Sequence, residues 1–107
     1  MDVEQLFGQM VAAGAGAFGA GWGQVEKFAK IEFKTIAQRI EQIGQGLLRG
    51  DFDLTTGKML LAMQVNLATA AIAGATTLTM LAVEAAINAV LAVIKGAVNS
   101  ALKMALL

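Results

Sequence analysis

The sequence has no cysteine, no histidine and no proline. Each absence removes a set of possibilities. Without Cys there is no disulfide, no thiolate metal ligand and no thiol nucleophile, and without His the commonest general base and metal ligand is gone. A Ser-His-Asp triad cannot form, no glycine-rich phosphate loop is present, and the few acids make no paired constellation. The chain is therefore expected to be non-enzymatic, with no catalytic, cofactor-binding or metal-ligating residues. The lack of Pro takes the strongest helix breaker out of all 107 positions, and five Phe and one Trp are the only aromatic residues, so little favours strands. Net charge is missing too: eight acidic residues balance eight basic ones. That leaves no electrostatic footprint for nucleic acid, and none is expected as a partner. Asp2 and Glu4 stand where a secretory signal carries basic residues, so no export signal of the general type is expected.

What the chain has in abundance is apolar surface. It is 57% hydrophobic and 15% charged, where soluble domains average about half and a quarter. A monomer of this length buries only about two-thirds of its unfolded surface. The surplus is expected to need cover from outside the monomer. Its distribution is uneven, because thirteen of the sixteen charges lie at or before Lys58, leaving only Glu84, Lys95 and Lys103 beyond it.

The first half opens with an uncharged stretch from Gln5 to Val25. Within it Gly8, Ala12, Gly16 and Ala20 recur at four-residue spacing, as do Ala15, Gly19 and Gly23. On a helix these form two rows of small side chains of the kind that lets neighbouring backbones approach closely, and they are the expected helix-packing residues. From Val25 the pattern turns amphipathic, with Ala29, Phe33, Ile36, Ile40, Ile43 and Leu47 in a coiled-coil-like seam. Glu26, Lys27, Lys30, Lys34, Arg39 and Glu41 occupy much of the opposite side. The break comes at Gly50-Asp51-Phe52-Asp53-Leu54, where Gly50 suits a left-handed helix end and Asp51, Asp53 or Thr55 can cap the next helix. An Asp-x-Asp-x-Thr run here suggests a calcium loop, but the twelfth position is Ala62 rather than a bidentate Glu.

The second half reads as apolar nearly all round. Leu67, Ala71, Leu78 and Leu81 lie on one line, while Val83, Ile87, Val90 and Ile94 follow another. The run from Met59 to Val83 carries no charge and exceeds the ~20 residues that cross a hydrocarbon core. Gln64, Asn66, Glu84 and Asn88 interrupt this half and are expected to act as polar register-fixing residues between helices. Trp22 suits either a membrane interface or a helix contact.

The resulting expectation is an all-α chain forming one domain over 1–107. Helix 1 would run over about 4–49, a turn over 50–54 and helix 2 over about 55–106, closing a long antiparallel hairpin that assembles into a multi-subunit bundle or array. The uncovered face of such a hairpin calls for copies of itself, a lipid bilayer or both. The expected function is a self-associating structural protein of a membrane-associated scaffold, shell or tube, as in a virion or secretion apparatus, alongside other structural proteins of that assembly. The alternative is a small membrane-active pore-forming or lysis protein.

Overall fold

The computed structural model describes residues 1–107 and contains helices but no strand. Helix α1 spans Val3–Phe18, a short 3-10 turn takes Gly19–Gly21, and α2 spans Trp22–Arg49. Helices α3 and α4 span Leu54–Ala75 and Met80–Leu102. The all-helical class expected from composition is what the chain adopts. Each of the two expected long helices is nevertheless divided in two, by reversals of the chain that the hairpin reading does not contain.

The physical cause differs at the two breaks. At the first, Gly19 adopts φ 55° and ψ −124°, a conformation that a side chain strongly disfavours, while Phe18, Gly21 and Trp22 remain right-handed helical. At the second, the threonines act locally. Thr76 Oγ1 donates to the Ile72 carbonyl at 2.9 Å, and Thr79 Oγ1 accepts the Ala82 N–H at 3.1 Å to cap α4. Such side-chain bonds offer the backbone an alternative to continued helix.

The expected turn is present between these breaks. Gly50 is left-handed at φ 75°, and the Asp51 N–H reaches back to the Gly46 carbonyl at 2.9 Å. Asp53 caps α3 by accepting the Thr56 N–H at 2.9 Å. That bond from the Thr56 backbone, with help from the Thr56 side chain, holds the Asp53 carboxyl below its ordinary value of 3.8.

The contacts set the directions of the helices. Met1 shares a groove with Gly44, Leu48, Ala101 and Leu102, so α1 begins where α2 and α4 end. Gly57 meets Ile43 and Leu47, which runs α3 back along α2. Lys58 to Asn66 face Asn88 and Leu91 across a groove, placing α4 antiparallel to α3. The result is an up-down-up-down four-helix bundle. Its extents of 41 × 22 × 18 Å match one α2 in length and two helices each way in section. Its surface of 5648 Å² is what a compact monomer of 11.1 kDa exposes, about 5,700 Å². An open hairpin would be nearly twice as long.

The core is built where the periodicity places it. Val25, Ala29, Phe33, Ile36, Ile40 and Ile43 of α2 are buried, and Val83, Ile87, Val90, Ile94 and Val98 of α4 face them. Leu6 and Met10 of α1 and Leu61, Ala68 and Ile72 of α3 complete it. After α4, Asn99 bonds both the N–H and the carbonyl of Leu107, folding the tail so that Leu106 is buried.

The small-residue ladder expected to pack helices takes no part in the packing within this bundle. Gly8, Ala12, Ala15, Gly16, Gly19, Ala20 and Gly23 are exposed. Close approach is made instead by Gly14, where an added Cβ would lie 2.7 Å from the Phe33 ring and 3.0 Å from Trp22. Gly44 receives Leu102 and Gly46 receives Phe52 in the same way.

Two outcomes follow. Gly14→Ala lowers stability by about 1–3 kcal/mol through overpacking, whereas Gly16→Ala, with open space around it, raises it by about 0.5–1 kcal/mol; urea unfolding measures both. Asp53→Ala lowers the melting temperature at neutral pH. Because the folded Asp53 carboxyl titrates below 3.8, its contribution is complete above that value and is lost as pH falls through the depressed pKa. Melting curves of protein and variant, followed by circular dichroism, converge in acid.

Candidate apolar interaction surface

The bundle leaves much of α3 and α4 uncovered. Both helices are long and apolar enough to cross a membrane, yet only 22% of the most apolar window of α3 and 33% of that of α4 is buried. A core helix of a soluble domain that passes the same test of length and composition is mostly buried. Here one line of each helix enters the core and the rest does not. On α4 the line Val83, Ile87, Val90, Ile94 is fully buried, while Leu81 and Val93 stand 78% and 64% exposed. On α3 the residues Met59, Met63 and Leu67 repeat every four positions along the outside, Leu67 at 63% exposure. Ala70, Ala71 and Gly74 continue that side towards Thr76.

The polar residues expected inside this half lie at its surface. Asn66 and Asn88 are exposed and line opposite walls of the shallow groove between α3 and α4. Gln64 is half-buried and Glu84 is exposed. None of the four side chains makes a hydrogen bond within the chain, so they do not set the register within this bundle. That is done by apolar fit, by Gln24 Nε2 donating to Thr77 Oγ1 at 2.7 Å, and by the ion pair of Lys34 with Glu4. The same Lys34 ammonium lies 5.1 Å from the centroid of the Phe7 ring, joining α1 to α2.

Charge divides the bundle along its length as well as across it. The turns Gly19–Gly21 and Thr76–Thr79 lie together at one end, where Leu78 approaches Gly21. No charged residue occurs from Gln5 to Val25 or from Met59 to Val83, so both turns are uncharged, and the nearest charges, Glu26, Lys27 and Glu84, stand about one helical turn away. Trp22 lies here, half-buried, with its ring centroid 6.1 Å from that of Phe18. Asp2, Arg49, Asp51, Asp53, Lys58 and Lys103 gather at or near the opposite end. The outward side of α2 carries most of the remaining charges, including the Glu26–Lys30 pair at 2.8 Å.

The grooves of the bundle are small. Three open ones measure ≈ 170, ≈ 280 and ≈ 100 Å³, below the ~300–1,000 Å³ of sites that enclose small molecules. No three acidic side chains converge. What the surface offers is area for contact with something equally apolar. Comparison with known protein families, curated proteins and solved structures finds no match to this chain.

Neither the exposed line of α3 nor the pairing of the two uncharged turns was separable from the core in sequence, where the second half looks apolar on every side. The available signal was quantitative: one bundle of 107 residues has room inside for a single line per helix.

Proposed function

We propose that the chain is a non-enzymatic, self-associating structural protein that works at a membrane, as a subunit of a scaffold, shell or tube of the kind found in virions and secretion apparatuses. The observation that carries this reading is the low burial of α3 and α4, two helices of spanning length of which the bundle buries only a minority of residues. In water each exposed leucine-sized side chain forgoes about 1.5–3 kcal/mol of burial, so the surface is driven towards lipid or towards other copies. The axial distribution of charge supports the lipid side of the reading. A bundle entering a bilayer leads with the end whose turns carry no charge, with Glu26, Lys27 and Glu84 about one helical turn behind it, and keeps Arg49, Asp51 and Asp53 in water. The amphipathic α2, with its charged outward side, then meets solvent or headgroups while α3 and α4 meet hydrocarbon.

A flotation experiment with phosphatidylcholine vesicles tests the membrane part. The protein floats with the vesicles, and Leu67→Gln/Leu81→Gln lowers its partition coefficient by about 100-fold, at roughly 1.5 kcal/mol per leucine kept from hydrocarbon. Both leucines are exposed, so the unfolding free energy of the variant stays within about 0.5 kcal/mol of the parent. Wild-type protein remaining at the bottom of the gradient would contradict the reading.

A further inference from the structure

The two neighbouring turns Gly19–Gly21 and Thr76–Thr79 divide the bundle into halves. Helix α1 packs on α4, and α2 packs on α3. The chain crosses from one half to the other only at Gly19–Gly21 and Thr76–Thr79, which lie side by side, held by the Gln24–Thr77 hydrogen bond and the Leu78–Gly21 approach. The Gly50 turn at the far end belongs wholly to the α2/α3 half. Straightening both adjacent turns lays the two halves end to end as a hairpin of two long helices. The α1–α4 and α2–α3 packing survives that motion, and only the contacts between halves are lost.

The backbone permits it. No proline interrupts the chain, and through the first turn every residue but Gly19 already lies in or near helical conformation, with Phe18, Gly21 and Trp22 right-handed. One glycine at φ 55° and ψ −124° accounts for the reversal. Thr76 at φ −131° and Thr79 at φ −75° are unstrained, so that turn rests on hydroxyl hydrogen bonds of Thr76, Thr77 and Thr79 rather than on a rigid loop. Short connections of this kind are the usual sites of exchange between copies.

What the opened halves expose is matched to the other half of the same sequence. The gap at Gly14 on α1 takes the Phe33 ring of α2, and the gap at Gly44 on α2 takes Leu102 of α4. Glu4 on α1 pairs with Lys34 on α2, whose ammonium also lies over Phe7. Steric gaps filled by particular rings and an ion pair of opposite charges describe a protein partner, and a second copy supplies every one of these groups.

We propose that the four-helix bundle is the closed form of a hairpin that opens at Gly19–Gly21 and Thr76–Thr79 and docks with a second copy, each copy's α1/α4 half packing on the other's α2/α3 half. This rests on the self-association reading above and gives it a geometry. Every contact between halves is remade between chains, and Gly19 is released into helix. The product is a closed twofold dimer of two bundles joined end to end.

The chain has no native cysteine, so Glu4→Cys/Lys34→Cys places two thiols where the α1–α2 ion pair stands. The protein, in detergent micelles, is separated by mass, each fraction is treated with a short bismaleimide, and the products are run on a denaturing gel. The cross-link within a monomer joins one chain and runs at 11.1 kDa; in the dimer it joins two chains and runs at twice that mass. Gly19→Ala, at an exposed position with open space around it, raises the dimer-to-monomer ratio by about tenfold or more because alanine resists the positive φ of the closed turn. Gly16→Ala leaves the ratio unchanged. A dimer fraction that cross-links only within chains overturns the exchange while leaving self-association standing. The absence of dimer at every concentration overturns both. A Gly19→Ala protein that melts earlier without dimerising more overturns the exchange.

Discussion

Val25, Ala29, Phe33, Ile36, Ile40 and Ile43 form a fully buried row on a helix whose other side is charged. With its polar side fixed towards water, α2 must be covered from within by whatever the remaining 79 residues supply. Each of the other helices contributes one line to that task, and α4 contributes the longest, from Val83 to Val98. Once those lines are used the interior is full, since a section of 22 × 18 Å holds two helices each way and no more. The apolar sides of α3 and α4 that remain are thus a consequence of how α2 is satisfied. Core and outer surface come from one constraint.

That constraint also explains why the chain turns where it does. A straight hairpin would give α2 only α3 as a neighbour, leaving Phe33 and Ile36 partly wet. Folding α1 and α4 back over the pair removes this exposure at the cost of a reversed glycine and a few backbone bonds around Thr76–Thr79. Gly14 and Gly44 are the positions that let the returning helices come close enough. The helix pairs expected of a hairpin, α2 with α3 and α1 with α4, persist inside the bundle.

Much of this was legible in the residues. The α2 seam, the left-handed Gly50 and the Asp53 cap have strong local causes, and a 3.6-residue period with a charged reverse side specifies which face is buried. The reversals were not legible. Thr76, Thr77 and Thr79 look like polar interruptions of a helix, because their turn depends on hydroxyls bonding to nearby backbone rather than on Gly or Pro. The glycine-rich start offers several rows of small residues, and spacing alone does not say which one meets a neighbour. The row used, Leu6, Met10 and Gly14, is marked by two large side chains, whereas Gly8, Ala12 and Gly16 face outward. The amides and Glu84 lie on the surface of the monomer: in a helix apolar on all sides, a polar residue marks a wet edge as readily as a buried contact.

The central claim is that one bundle leaves its second half uncovered and that something outside the monomer covers it. Fractionating the expressed protein into carbonate-washed membranes and a soluble pool, then measuring the mass of the particle in each, tests it most directly. The account predicts retention in the washed membranes in a form larger than 11.1 kDa of protein. Recovery in plain buffer as a stable monomer would contradict it, for α3 and α4 would then tolerate water on their apolar sides.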